Sequence, residues 1–200
     1  MPGRNKNLQC FIDAAEAGIQ ARTTDFPAAM VLSARVFSAL KAPGGTKAGR
    51  LPARLPACGH LETAFSQARN GPDPIPALTD AFAALEPELA WDRRPETDQN
   101  GGNFYDNHAN AVIVGAGGLE VRNDVRIGVS LTAPGIDYPR HRHPPEELYV
   151  VLSRGKWMQN DNPLALKQSG DLVHNPPNVW HAMQAADAPL LAIWCLWVGD

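Results

Sequence analysis

The stretch GIDYPRHRHPPEELYVVLSRG, residues 135–155, concentrates side chains that can do chemistry. His141 and His143 lie two apart, so on a strand both point to one face. Glu147 follows four residues later, and strand parity keeps it on that face once the Pro144-Pro145 bend is absorbed. Tyr149 comes two further on, again on that side. A second stretch, GDLVHNPPNVWHAM, ends on His181, which can complete the set if the sheet curls into a barrel. Imidazoles mixed with a carboxylate suit one borderline-to-hard divalent ion, Fe(II), Mn, Zn, Co or Ni, and disfavour a thiolate site. Cys10, Cys58 and Cys195 all lie away from both stretches. Three or four protein ligands leave open positions, which favours a catalytic centre over a structural one.

These residues need a scaffold, and the chain divides into two parts to provide it. Residues 1–95 read as an α-helical region that packs on the β-rich remainder of the chain. In NLQCFIDAAEAGIQAR, Leu8, Phe11, Ile12, Ala15 and Ile19 recur at helical spacing. FPAAMVLSARVFSALKA is a second helix, stopped by Pro43-Gly44-Gly45. HLETAFSQAR is a third, and ALTDAFAALEPELAW a fourth with Thr79 or Asp80 near its start. The basic Gly/Pro-rich segment between the second and third, residues 41–58, reads as a loop. After Trp91 comes the polar connection DRRPETDQNGGNF, and residues 96–200 then break into short β-rich runs. The runs are NAVIVG, VRIGVSLTA, ELYVVLS, KWMQN, DLVH, VWHAMQA and LLAIWCLWV. Many short strands without intervening helices imply an antiparallel sandwich or barrel, so the fold is mainly β with a helical extension.

Composition narrows the function. With 44% hydrophobic and 20% charged residues the chain can bury a sizeable core. A formal net charge of −3 gives no electrostatic case for nucleic acid or an anionic membrane. Three dispersed cysteines are no disulfide framework and fit a reducing compartment. No segment has the length and apolarity of a signal peptide or membrane span, so the expected setting is cytoplasmic. The expected partner is a small molecule, and the chain a monomer or homodimer.

A lone histidine is ordinarily a satisfied core or surface residue, and the other histidines read that way. His174 is expected in a strand or behind the ligands. His60 and His108 carry no pattern, although His108 could approach the site from the first strand. Arg142, between the two histidines, should face solvent. Trp157, Trp180, Trp194 and Trp197 read as core or interface aromatics. Trp194 and Trp197 have opposite parity and should not share a face.

The two stretches together resemble the cupin superfamily, whose barrel is a double-stranded β-helix or jelly roll. The first cupin motif runs from Gly135 through His141, His143 and Glu147 to Gly155, with one residue more than usual before Gly155. That excess implies a longer turn or a bulge. The second motif is matched by Gly170, Pro176, Asn178 and His181. Asn178 stands where the family has Gly at a left-handed turn, and Ala185 replaces the motif's final Asn. The resemblance implies one metal ion held by His141, His143, Glu147 and His181.

Within the cupins, the chain is similar to the bacterial dimethylsulfoniopropionate lyases of the DddQ type. The likeness covers most of the chain, and its specific features are the helical N-terminal region and two tyrosines, Tyr138 and Tyr149, flanking the motif. It implies a lyase that releases dimethyl sulfide and leaves acrylate. It further implies His143, Glu147 and His181 as ligands to Zn, Fe(II) or Mn. Tyr149 would be a ligand or the base, and His141 a site member that need not ligate. The chemistry is coherent: a cation on the substrate carboxylate stabilises the enolate-like charge that develops when the α-proton leaves. Tyr149 is the first choice of base, and Tyr138 the second, with substrate orientation as its other role. Trp180, Tyr105 or Phe104 could supply an aromatic wall for the sulfonium group. A sugar isomerase, an Fe(II) dioxygenase or a non-catalytic small-molecule-binding cupin shares the ligand set, and only the tyrosine pair separates them.

Overall fold

Alternation of apolar side chains in the C-terminal half builds two sheets that share one interior. The computed structural model describes residues 4–23, 26–46, 51–94 and 102–199. The strands are β1 (Gly45–Thr46), β2 (His108–Val114), β3 (Glu120–Val121), β4 (Val125–Thr132), β5 (Asp137–His141), β6 (Glu147–Ser153), β7 (Gly155–Gln159), β8 (Ala165–Lys167), β9 (Leu172–Asn175), β10 (His181–Gln184) and β11 (Leu190–Trp197). One sheet runs β1-β3-β2-β4-β11-β6-β9 and the other β5-β10-β7-β8. Tyr149, Val151, Ala192 and Trp194 of the first meet Tyr138, Trp157 and Met183 of the second in one buried cluster. The C-terminal half is a barrel of two facing sheets, mainly β as the patterning implies.

The larger sheet carries apolar side chains on both faces because both are covered. Val125, Ile127, Val129 and Leu131 of β4, with Leu148, Val150 and Leu152 of β6, face away from the barrel toward the helices. The helices are α1 (Lys6–Gln20), α2 (Pro27–Leu40), α3 (Leu61–Arg69) and α4 (Ile75–Leu85). In α1 the expected stripe, Leu8, Phe11, Ile12, Ala15 and Ile19, is buried, and Asn5 caps the helix by accepting from the Asn7 and Leu8 amides. α1 packs on α4, while α2 and α3 lie on β11 and β6. Trp197 points to this helical side and carries Arg35 over its ring at 4.0 Å, whereas Trp194 points into the barrel.

Several expectations need correction. α4 begins at Ile75, not near Thr79. Pro76 occupies its first turn, where a missing N–H costs nothing, and the Thr79 hydroxyl donates to the Ile75 carbonyl from within the helix. The segment 41–58 is not all loop: Gly45–Thr46 pairs with β3, Ala53 bridges Ala90, and Pro56–His60 is a 3-10 turn. β3, β5 and β8 lie outside the expected strand runs because they are short and proline-marked or half-exposed. The boundary placed at 95/96, and much of the polar connection 92–104, falls on 95–101, outside the described residues. No described helix is long and apolar enough to cross a membrane.

The extra residue before Gly155 is a bulge. β6 and β11 pair Leu191 with Ser153 but Ala192 with Val151, which leaves Leu152 as the additional residue. The fully buried Ser153 repairs the ladder with its side chain. Its hydroxyl donates to the Pro189 carbonyl at 2.7 Å and accepts the Leu191 amide at 2.7 Å. Ser153→Ala leaves both groups buried and unpaired, so it should cost about 1–3 kcal/mol of folding stability in urea titration. Unchanged stability would show that the bulge does not depend on the hydroxyl.

Candidate metal centre

The three histidines converge from the smaller sheet and the connection that leaves it, and Glu147 joins them from the larger sheet. His141 ends β5 and His181 begins β10, and the two are direct partners across that antiparallel pair, with ring centroids 4.1 Å apart. His143 is not on a strand; it lies in the connection from β5 to β6. Glu147 is the first residue of β6, in the opposite sheet. The sequence argument of a single strand face therefore reached the right grouping by the wrong route. The connection lets the chain cross from one sheet to the other, and both sheets present the side chains inward.

Tyr138 lies three residues before His141, a spacing that puts side chains on opposite faces of a regular strand. The β5–β10 register shifts between His181 and Met183, so one extra residue of β5 is absorbed and both side chains face inward. A backbone bond joins the two motifs: the Asn178 amide donates to the His143 carbonyl at 2.9 Å. Asn178 has φ 60°, the left-handed conformation expected where asparagine replaces glycine.

Each of these histidines has one nitrogen already committed. His141 Nδ1 donates to the Pro139 carbonyl at 2.8 Å, His143 Nδ1 to Pro145 at 2.9 Å, and His181 Nδ1 to Val179 at 3.0 Å. A carbonyl can only accept, so the proton sits on Nδ1 and the Nε2 lone pair is left for an ion. The three rings offer atoms within 4.8 Å of one another. Glu147 Oε2 stands 3.3 Å from His143 Nε2 and 3.4 Å from His181 Nε2. Two atoms each about 2.1 Å from one ion at a tetrahedral angle are about 3.4 Å apart, so this spacing fits co-ligands. His181 Nε2 is fully buried without a hydrogen-bond partner among the described residues, which is the state of a ligand atom. The cluster is compatible with a single metal ion, and Glu147 touches two of its three histidines.

Electrostatics agrees with neutral imidazoles at two of the three positions. Burial, then the neighbouring charges of His181 and Arg94, pulls the His141 pKa down to about 3. Burial likewise lowers His181. His143 is raised despite burial, because Glu147 accepts from it and attracts its charge. Tyr149 is pushed well above an ordinary phenol by burial and then by the Glu147 carboxylate. Tyr138 is raised by burial, with Arg94 and a hydrogen bond from Asn110 Nδ2 at 3.1 Å opposing the rise.

Residues that no motif marked support the site. Asn175 Nδ2 donates to Glu147 Oε2 at 2.9 Å, and Gln159 Nε2 donates to Asn175 Oδ1 at 2.6 Å. Asn175 shares the inward parity of Val173 on β9, the signal that could have found it. His108 is no ligand. Its Nδ1 donates to the Phe104 carbonyl at 2.7 Å and its Nε2 accepts the Arg94 amide at 3.0 Å. Its ring stacks on Phe104 with centroids 3.7 Å apart. His174 turns away and meets Glu146 at 2.6 Å.

A cavity of about 420 Å³ opens over Tyr138, His141, His143, Glu147 and Tyr149, with Arg94, Asn110 and Trp194 in its walls. Trp180 and Tyr105 are not brought to it. Trp180 is exposed, with Arg142 4.6 Å and Arg140 5.2 Å from its ring, a setting that repels a further cation. Tyr105 carries Arg93 at 4.1 Å over its ring. Phe104 is buried behind His108 and Tyr138.

Known proteins share this sequence pattern and this architecture. The family model described as dimethylsulfoniopropionate lyase matches residues 29–192. A dimethylsulfoniopropionate lyase DddQ of Ruegeria pomeroyi is 30% identical over 125 residues, and the aligned part spans 62% of this chain and 62% of that relative's length. Among solved structures, DddQ of Ruegeria pomeroyi DSS-3 superposes with TM-score 0.69 at 24% identity, over 96% of this chain and 92% of that one. A chain from the structures of the lyases RdDddP and RnDddQII gives TM-score 0.71, also at 24% identity, with the same coverage. These two likenesses bear on the fold.

The assembled ligand set should bind one equivalent of Zn or Mn in calorimetric titration. His181→Ala should weaken binding by about tenfold or more, and His108→Gln should leave the stoichiometry at one. Loss of the ion with His108→Gln would place the site elsewhere.

Proposed function

Because the chain belongs to the dimethylsulfoniopropionate lyase family, we propose that it is a carbon–sulfur lyase cleaving dimethylsulfoniopropionate to dimethyl sulfide and acrylate. The observation that carries the reading is the placement of two buried phenols, Tyr138 and Tyr149, in the wall of the cavity that holds the histidine cluster. His143, Glu147 and His181 would hold the ion, with His141 as the further ligand. The ion when bound supplies positive charge for the substrate carboxylate and for the enolate-like charge that develops beside it.

The remaining work falls to the chain's own groups. The α-proton of the substrate is weakly acidic, so the base must be strong and within hydrogen-bond reach of the α-carbon. A phenolate meets the first requirement. Tyr149 Oη takes the proton, the Cα–H electron pair becomes the Cα–Cβ double bond, and the Cβ–S bond breaks. Dimethyl sulfide leaves with that bond's electrons. The proton stays on Tyr149 until solvent removes it. Burial and Glu147 oppose ionisation of Tyr149, so positive charge in the pocket is what permits it. Tyr138, hydrogen-bonded by Asn110 beside His141, orients the substrate and is the second candidate for the base. Trp194 lines the cavity where Trp180 and Tyr105 do not, but Arg126 stands 5.6 Å from its ring, so it too is no open aromatic surface for the sulfonium group.

Incubation of the metal-loaded chain with dimethylsulfoniopropionate should release dimethyl sulfide, read by gas chromatography, and acrylate in equal amount. Absence of both with Zn, Mn, Fe(II), Co and Ni in turn would sink the assignment. Tyr149→Phe should lower kcat by about a hundredfold or more with substrate affinity largely kept. Should Tyr149→Phe turn over normally while Tyr138→Phe does not, the base is Tyr138.

A further inference from the structure

Among the described residues four arginines line the cavity, Arg93, Arg94, Arg126 and Arg142, and they are not equivalent. Arg142 is exposed and lies against Trp180. Arg126 is exposed, with its guanidinium 5.6 Å from the Trp194 ring. Arg93 is drawn outward by Asp106 at 2.6 Å and by the Tyr105 carbonyl at 2.9 Å. Arg94 is half-buried, and its guanidinium carbon lies 5.8 Å from the centroid of Tyr138.

The backbone that presents Arg94 is fixed at two points. Asp92 exchanges both backbone bonds with Asn110 of β2, each at 2.8 Å. Two residues on, the Arg94 amide donates to His108 Nε2. His108 is itself locked by the Phe104 carbonyl and by stacking on the Phe104 ring. A fully buried histidine with both nitrogens engaged thus serves to hold one peptide unit at the rim of the cavity. The charge of Arg94 is also felt by Tyr138, His141, His143, Tyr149 and His181, all the titratable site groups whose pKa is displaced.

We propose that Arg94 is the carboxylate anchor of this pocket, positioned by His108, and that it sets the direction in which a zwitterionic substrate enters. The proposal rests on the lyase reading above for the identity of the substrate. A guanidinium binds a carboxylate through paired N–H donors and repels a sulfonium. With the carboxylate drawn to Arg94 and the ligand cluster, the sulfonium end is directed away, and the α-carbon between them comes to the tyrosine pair. Cations lacking a carboxylate are repelled by the same charge.

The test uses the product, acrylate, and its neutral isostere, acrylamide, titrated calorimetrically into the metal-loaded full chain. Wild type should prefer acrylate. Arg94→Gln should weaken acrylate binding by about tenfold or more and leave acrylamide binding unchanged, and Arg94→Lys should fall between. In turnover, Arg94→Gln should raise KM for dimethylsulfoniopropionate more than it lowers kcat. Unchanged acrylate affinity in Arg94→Gln overturns the proposal. So does an equal loss in Arg142→Gln, which would assign the effect to the general charge of the rim. If Arg94→Gln fails to fold, Arg94→Lys binding acrylate as wild type does also overturns it. A chain that selects acrylate through Arg94 yet releases no dimethyl sulfide supports the anchor and removes the lyase reading alone. A lyase indifferent to Arg94→Gln removes the anchor alone.

Discussion

Three hydrogen bonds from imidazole Nδ1–H to backbone carbonyls are the constraint on which the site depends. Pro139, Pro145 and Val179 supply the carbonyls, each two residues from the histidine it serves. Without them each ring could rotate and carry its proton on either nitrogen, and three lone pairs would not point to one place. With them, tautomer and orientation are fixed by the local backbone before any ion arrives. The rest of the fold brings those three short segments together. β5 and β10 pair so that His141 faces His181, and the connection from β5 to β6 lays His143 beside Glu147.

The larger sheet does double duty. Its outer face is a continuous apolar surface under α2 and α3, and its inner face mixes large side chains with the polar groups of the cavity. Several buried polar groups of that inner face are paired: Glu147 with Asn175, Tyr138 with Asn110, and His108 with the Arg94 amide. The helical layer takes over much of the apolar burial. That division frees the barrel interior to be wet and charged near its mouth.

Much of this was legible in the sequence, and the illegible part has physical causes. Helical spacing and strand alternation placed α1, α2, α3 and most of the long strands, because each buries one face against a neighbour. The short strands β3, β5 and β8 were missed because they bury too little to impose a pattern. The histidine cluster was legible because a metal-compatible site restricts residue type as well as spacing. His143 shows the limit: strand parity predicted its company correctly, yet it lies off any strand. Asn175 reaches Glu147 and His108 reaches the Arg94 amide through hydrogen bonds between residues apart in sequence, and no local pattern records such a bond. Trp180 was misjudged because its neighbours Arg140 and Arg142 are strand-adjacent cations that cover its ring, a contact fixed only by the β5–β10 arrangement.

The bond between the Asn178 amide and the His143 carbonyl has a thermodynamic meaning of its own. In an unfolded chain Glu147 and His181 are ends of a long segment, and bringing such ends together costs about 3 kcal/mol of closure entropy. Here that segment is spanned by β6, β7, β8 and β9, and its two ends are tied by a peptide-to-peptide contact independent of any ligand atom. The closure is therefore charged to folding and not to coordination. An ion bound here would meet a preassembled cradle, so its affinity would report donor chemistry, and its departure need not unravel the barrel.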